Sequence, residues 1–482
     1  MGVQSRIGCS LLLIGVCASV SAQQSPFDHQ PDFLDALDSP QSAVIAQTLT
    51  LNSAELALLS AATIGQEIDL PALSAGLAKG SPMAFKRINI HAPGTRVTVD
   101  DGVTVRQLDA SGRHFFLAHS ATGGASFSLD LKSGRAHGLL VDGANSYQID
   151  GEITAKGGLN LTLASLREAR SKAGFACGQN DTHKAEFRAP ADLDSGLIGL
   201  AADPAPSMRA TRKGSGQVLY QTVIAVDTDN ELLYNKFDNN PAEARDWIED
   251  MFVAMNAFYE PDLGLRLLLG DLLLRVDNTP TDAPDFNTDP DDFNDGLGSF
   301  RSYFQNNQNS IQRNFAALLS GKNIGRNSFS GVAYVGVYCN SASYSLNRIG
   351  SNSRPAFIAG GVGHEIGHNL GSSHTHCEAR RAGGGFVDEC YSMNPASPRG
   401  CYVGPTSCPA GGADGSLMSY CHAGASGFDG DGPEMGTSSR CSNSDYFHPL
   451  IIGKLDDLIA SNNPSCIADF DDLDLLFRGG FE

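Results

Sequence analysis

The chain has 482 residues and a formal net charge of −20, from 34 basic and 54 acidic side chains. Its length predicts two to four domains, and 41% hydrophobic residues is ordinary for a soluble globular protein. The acidic balance argues against nucleic acid as a partner, because phosphate binding requires clustered Lys and Arg. No apolar run is long enough to span a membrane as a mature segment.

The chain begins with MGVQSRIGCSLLLIGVCASVSAQQ, which has the pattern of a secretory signal peptide. Arg6 supplies the positive charge, residues 7–20 form a short apolar region, and Val20 and Ala22 are small enough for a cleavage site. A membrane anchor is the alternative, but the apolar run is short and polar sequence follows it. Residues 1–22 are therefore predicted to direct secretion and to be removed.

The cysteines divide into an even set and one outlier. Two of the eleven fall in the signal peptide, which leaves nine in the mature chain. Eight lie in the C-terminal third and predict four disulfides in an exported protein: Cys339, Cys377, Cys390, Cys401, Cys408, Cys421, Cys441 and Cys466. The ninth, Cys177, stands alone far upstream.

Residues 23–213 are predicted to form a region distinct from the C-terminal half of the chain. Residues 23–80 are rich in Ala and Leu and look helical, whereas short alternating segments from Phe85 to about residue 165 indicate an antiparallel β unit. Residues 190–216 have the composition of a linker, and their basic residues make it either a site of proteolytic nicking or an inert spacer.

From residue 214 onwards, strands and helices alternate and predict an α/β or α+β domain. A helix should begin at Pro241, with Asn240 as N-cap and Glu243 completing a capping box. The other predicted elements are strands at 219–229, 263–276 and 331–339 and a helix at 294–318.

The stretch HEIGHNLGSSH, residues 364–374, has the spacing of a catalytic zinc site. His364 and His368 share one face of a helix, one turn apart. Gly371 permits a left-handed turn that returns His374 towards the same metal. Glu365 would accept a proton from the attacking water. A metal site without chemistry is the alternative, against which Glu365 argues.

The same stretch fits the metzincin pattern HExxHxxGxxH, and GSLMSYC, with Met418, resembles the Met-turn of those zinc proteases. FAALLSGKN followed by GVAYVGVYC resembles the strands that precede the active-site helix in the adamalysin/reprolysin branch, in its bacterial form. The resemblance covers about residues 219–466, and more faintly the region before them. It implies a zincin-like fold with a twisted sheet, and Met418 as an apolar floor below the metal.

The resemblance also implies a Cys339–Cys466 disulfide. The other six cysteines would then staple the loops after His374, in any of fifteen pairings.

Two positions depart from that branch. Thr375 stands where an aspartate is usual, and Tyr420 follows Met418 by two residues, as a switchable tyrosine ligand does in the astacin and serralysin branches. Tyr420 is thus either an extra ligand, an oxyanion stabiliser or a packed side chain. The remaining nearby histidines are predicted to lie in loops or on the surface: His376, His422 and His448.

Cys177 lies in FACGQND, which resembles the C-G-x-x-D cysteine switch of metzincin zymogens. A thiolate is a good zinc ligand, so Cys177 would occupy the fourth position in the precursor. The odd cysteine count agrees with this role, since eight cysteines pair and one is left for the metal.

The sequence therefore predicts a secreted zinc endopeptidase, acting on proteins or peptides and made as a zymogen. Its parts are a signal peptide (1–22), a β-rich propeptide (23–213), an α/β catalytic domain (214–466) and an acidic tail (467–482). An exported binding or adhesion protein with a structural metal, and an astacin- or serralysin-type metzincin, are the alternatives. A structural Ca²⁺ in the Gly/Asp loop at 427–436 is a weaker expectation.

Overall fold

The computed structural model describes most of the chain between residues 45 and 469. The described residues are 45–71, 73, 83–120, 123–143, 145–167, 220–276, 293–322, 331–338, 340–378, 385–392, 401–409, 415–421, 437–438, 441–462 and 467–469. Several predicted features lie outside them: the signal peptide, Cys177, the linker at 190–216, Cys339, Cys466 and the loop at 427–436.

The first sheet has eight antiparallel strands in the order β1-β10-β9-β8-β7-β6-β3-β2. Its strands are β1 (Ile45–Leu51), β2 (Glu67–Asp69), β3 (Ala84–Ile88), β6 (His114–Ser120), β7 (Gly123–Asp130), β8 (Arg135–Asp142), β9 (Asn145–Ile153) and β10 (Leu159–Ser165). This confirms the predicted β unit, including its end near residue 165. The helical prediction for 23–80 was wrong over β1; within the described part of that region, a helix, α1, spans Ser53–Ala61.

The second sheet follows the order β14-β15-β13-β11-β12-β4-β5, and β18 also pairs with β11. Its strands are β4 (Val97–Asp100), β5 (Val105–Gln107), β11 (Tyr220–Thr228), β12 (Leu265–Arg275), β13 (Phe315–Ser320), β14 (Gly331–Ala333), β15 (Tyr344–Arg348) and β18 (Ala468–Asp469). Strands β11, β12, β13 and β15 run parallel, whereas β14 is antiparallel at one end. The β4–β5 hairpin, from the predicted propeptide, extends this sheet beside β12.

Five helices belong to the C-terminal part of the described chain: α2 (Asn230–Phe237), α3 (Pro241–Leu263), α4 (Phe293–Asn307), α5 (Pro355–Leu370) and α6 (Pro449–Asn462). The predicted start of α3 is confirmed, because the Asn240 side chain accepts hydrogen bonds from the backbone N–H groups of Ala242 and Glu243. The helix predicted at 294–318 ends at Asn307. Residues 315–320 instead form β13, a fully buried apolar run between two parallel strands.

One apolar core joins the two sheets, and α3 lies within it. Eighteen of the 23 residues of α3 are buried. The same cluster includes Ile90, Val99, Phe115 and Leu139 from the N-terminal region and Met251, Phe258, Leu267 and Ile366 from the C-terminal region. The mixed α/β architecture with a β-rich N-terminal region confirms the predicted fold class.

The loops after α5 are crosslinked by disulfides. The pairs are Cys377–Cys401, Cys390–Cys421 and Cys408–Cys441. The six cysteines predicted to crosslink these loops form three disulfides, which is one of the fifteen possible sets of pairings. In the same loops, β16 (Tyr391–Ser392) pairs with β17 (Thr437–Ser438). Among the described residues, no helix has the length and apolar character needed to cross a membrane.

Candidate active site

Helix α5 carries the first two histidines of the predicted metal site and ends just before the third. Pro355 begins the helix at its first position, where a missing N–H costs nothing. Gly371 ends it with φ = +114°, and its N–H bonds back to the carbonyls of Gly367 and His368. The left-handed turn predicted from the glycine is thereby confirmed, and it directs His374 back over the helix.

The three histidine rings converge on one point. The Nε2 atoms of His364 and His368 are 3.0 Å apart, and those of His364 and His374 and of His368 and His374 are 3.3 and 3.2 Å apart. All three residues are buried. Zn–N bonds of 2.0–2.1 Å in tetrahedral geometry place ligand nitrogens roughly 3.3 Å apart, so this nitrogen triangle fits zinc.

Two backbone carbonyls fix the histidine tautomers. The Nδ1 atoms of His364 and His368 lie 2.7 Å from the carbonyl oxygens of Leu417 and Ser372, respectively. A carbonyl oxygen can only accept, so each Nδ1 carries the proton and donates it. Each Nε2 therefore presents its lone pair to the metal position, because the hydrogen bond at Nδ1 fixes the tautomer of a metal-binding histidine.

Glu365 is fully buried and lies against the edge of the second sheet. A Cβ added to Gly331, the first residue of β14, would come within 2.5 Å of Glu365 Oε1 and 2.8 Å of its Cγ. Only glycine at position 331 leaves room for this side chain without displacement.

Tyr259 on α3 is hydrogen-bonded to α5, the helix that carries Glu365. Its hydroxyl donates to the carbonyl oxygen of Gly363 at 2.6 Å. Burial, followed by the negative charge of Glu365, raises the pKa of the Tyr259 phenol well above 10.0. This hydroxyl therefore stays protonated at any working pH, and it holds the backbone just before the first ligand.

The Met418 segment lies against α5 and the third ligand's loop. Met418 is fully buried, and a Cβ at Gly367 would approach its sulfur to 2.7 Å. The Met418 carbonyl accepts from the Thr375 N–H at 3.0 Å and from the Thr375 hydroxyl at 3.3 Å. Thr375, which stands where an aspartate is usual, therefore links the loop that follows His374 to the Met-turn.

Tyr420 and His376 form an aromatic group beside His374. The Tyr420 ring centroid lies 4.1 Å from that of His374, and the His376 ring is nearly parallel to His374 at 5.5 Å. Of the two predicted locations for His376, loop or surface, the structure gives the loop: the residue lies in a 3-10 turn at Thr375–Cys377 and is fully buried. The role of Tyr420 as ligand or oxyanion stabiliser stays a prediction.

Comparison with known proteins places these features in a family. Residues 220–428 match the reprolysin-type family model described as "Metallo-peptidase family M12". The chain is a metallopeptidase, and this region resembles the reprolysin type. The matched residues include His364, His368, His374 and Met418, so the metallopeptidase assignment covers the whole histidine triangle and its Met-turn.

One solved structure similar to this metallopeptidase is "Crystal Structure of metalloproteinase-II from Bacteroides fragilis". The sequence identity is 11% and the TM-score 0.29, over 65% of this chain and 89% of that chain. A comparison with curated proteins gives no match.

Sequence reasoning missed two residues of the metallopeptidase site, Gly331 and Tyr259. Tyr259 directly follows Phe258 and other apolar residues of α3. Nothing in the sequence distinguishes it from a core aromatic residue. Gly331 opens a predicted strand, and its proximity to Glu365 depends on a contact between distant parts of the chain.

Proposed function

We propose that this metallopeptidase is a secreted endopeptidase in which Glu365 is the general base, and that it is made as a latent precursor. The observation that carries the proposal is the convergence of three buried Nε2 atoms within 3.3 Å of one another, with Glu365 on the same helix. Zinc bound there would supply a Lewis acid and a water of lowered pKa.

The residues of this chain then have separate tasks. His364, His368 and His374 hold the metal, with the first two oriented by backbone carbonyls. The Glu365 carboxylate accepts the proton of the attacking water and returns it to the leaving amine. The substrate lies extended and pairs with the edge segment 331–338, since β14 stands at one end of the sheet beside Glu365.

Hydrolysis of casein by the processed protein tests this proposal. Glu365→Gln should keep zinc and lose about 10²–10⁴-fold in turnover, the usual contribution of a general base. A zinc chelator should abolish the activity of the wild type. Undiminished cleavage by Glu365→Gln would rule out this base, whereas zinc-loaded, processed wild type that cleaves nothing would favour a binding or adhesion protein.

Export is supported by the signal-peptide pattern at residues 1–22 and by three disulfides in the loops after α5. Disulfides persist in oxidising compartments, and crosslinked loops suit an extracellular protein. N-terminal sequencing of protein recovered from the culture medium would test this, with Gln23 as the expected first residue of the precursor.

Latency is assigned to Cys177, which lies outside the described residues. Its resemblance to a cysteine switch and its place as the odd cysteine support the assignment. Cys177→Ser should give a precursor that cleaves casein before any processing. A Cys177→Ser precursor as latent as the wild type would instead indicate that the propeptide blocks the site sterically.

A further inference from the structure

Strand β12 forms backbone hydrogen bonds with the N-terminal region. The N–H of Leu269 donates to Ile90 O at 2.7 Å, and the N–H of Ala92 donates to Leu269 O at 2.8 Å. Farther along, β4 pairs with β12 in parallel, from Leu272↔Val97 to Arg275↔Asp100. Loss of the N-terminal region would leave β12, an almost wholly buried apolar strand, as an open sheet edge.

Helix α3 is similarly enclosed by the first sheet. Its residues are buried around most of its circumference, which is typical of a helix inside a core and not of one at a surface. Strand β7 approaches so closely that a Cβ on Gly124 would lie 2.4 Å from the carbonyl oxygen of Ala257. The two backbones are therefore packed in direct contact at this point.

Buried charges are matched across the same contact. Arg113 of the N-terminal region donates to Asp250 on α3 at 2.5 Å, and the two side chains are 4% and 6% exposed. His91 lies 3.1 Å from Glu249, also on α3. Such complementary pairs set the register with which the two parts dock.

The N-terminal region also supports the metal site through the backbone near the Met-turn. The Asp445 N–H donates to the Ser146 hydroxyl at 3.1 Å. The neighbouring Tyr446 carbonyl accepts from the Leu417 N–H at 2.8 Å, and the Leu417 carbonyl accepts from His364 Nδ1. Three hydrogen-bonded steps therefore connect the first sheet to a zinc ligand.

We propose that residues 45–167, here called the N-terminal unit, stay bound to the metallopeptidase domain after processing. Cleavage within 168–219, which contains the basic residues Arg209, Arg212 and Lys213 of the predicted linker, would then give a two-chain enzyme. On this view the N-terminal unit is a structural subunit of the processed enzyme. The inference rests on the proposed function solely in assuming that the precursor is cut.

Controlled cleavage of the full-length protein tests the inference. Residues 205–210 would be replaced by the recognition sequence of a site-specific protease, and the cut protein would be applied to a size-exclusion column in native buffer. The two fragments should co-elute at the position of the uncut protein. Their separate elution would overturn the inference. Co-elution requires no catalysis, so this outcome is independent of whether the protein cleaves casein.

A matched pair of glycine substitutions tests whether the contact between β7 and α3 holds the fragments together. In Gly124→Ala, the added methyl group meets the Ala257 carbonyl, so the cut fragments should separate at a lower urea concentration than those of the wild type. Gly298→Ala on α4 adds the same group into open space and should leave that concentration unchanged. Equal behaviour of the two variants would contradict the proposed docking surface.

Discussion

Gly331 illustrates how a missing side chain can leave room for a neighbouring carboxylate. Its missing side chain leaves the space that Glu365 occupies, and an added Cβ would lie 2.5 Å from Oε1. The general base proposed above, Glu365, must lie within hydrogen-bonding reach of the proton that it removes, so small displacements of its carboxylate should be costly.

Gly331→Ala is therefore expected to lower kcat by roughly 10–10²-fold, because a misplacement of about 1 Å can cost that much. Zinc content should change little, since the histidine triangle is untouched. Steady-state kinetics on a peptide substrate, with zinc content measured on the same samples, would check this, and Gly298→Ala provides the control. A wild-type kcat in Gly331→Ala would show that Glu365 adapts freely.

Thr375 is the residue at which this site differs from the adamalysin/reprolysin pattern. Its backbone and hydroxyl both donate to the Met418 carbonyl. The contact joins the Met418 segment to the loop that carries His374.

Helix α3 packs against both sheets. A buried ion pair between Arg113 and Asp250 forms part of its contact with the first sheet. Arg113 donates to Asp250, to the Ser128 hydroxyl and to the Asp246 carbonyl at 2.5–2.7 Å. Burial raises the pKa of Asp250, and the charge of Arg113 opposes that rise. The carboxylate therefore depends on its guanidinium partner to remain charged inside the protein.

Arg113→Met should lower the free energy of unfolding by about 3–5 kcal/mol, the cost of leaving a buried charge unpaired. The double variant Arg113→Met/Asp250→Leu should recover most of that loss, because it removes both charges. Urea unfolding of the three proteins at neutral pH measures the difference. A double variant as unstable as the single one would mean that packing, and not charge, makes Arg113 important.

The helices and strands that depend on local pattern were predictable. The cap residues predicted the start of α3. The spacing of His364, His368 and Gly371 predicted two histidines on one face of α5 and a left-handed turn at its end, because the helical turn fixes that geometry. The buried run at 315–320 was ambiguous from its period alone, since short apolar runs suit both helices and strands.

Contacts between distant residues were not predictable from local pattern. The pairing of β4 with β12 and the approach of Gly331 to Glu365 join residues with no shared periodicity. The three disulfide pairs likewise depend on loop geometry that cysteine spacing leaves open. These are the features that join the predicted propeptide to the metallopeptidase domain.

At the scale of the whole molecule, one contact between the first sheet and α5 should respond to pH. Asp150 on β9 bonds to Arg354 at the start of α5 at 2.8 Å, to His137 at 3.1 Å and to Gln148 at 2.7 Å. Burial alone would raise the pKa of Asp150, but hydrogen bonding from His137 and the charge of Arg354 lower it below 3.8. Its stabilisation is therefore present above the unfolded-state pKa and is lost as pH falls through the lower folded-state value.

Asp150→Asn should cost about 1 kcal/mol at pH 7, a modest value because Asp150 and Arg354 are partly exposed. The difference in the free energy of unfolding between the wild type and Asp150→Asn should shrink as pH falls below about 4, where the wild-type carboxyl takes up its proton. Urea midpoints of both proteins across this range would measure it. A gap of constant size from pH 7 to pH 3 would contradict the assignment.

Zinc stoichiometry tests most directly the central claim that the three converging histidines form a catalytic zinc site. Elemental analysis of the purified full-length protein should find about one zinc per chain. His364→Ala and His374→Ala should each lose most of the zinc, and His448→Ala, which changes a histidine at the start of α6, should retain it. Zinc bound equally by all four proteins, or by none, would contradict the account.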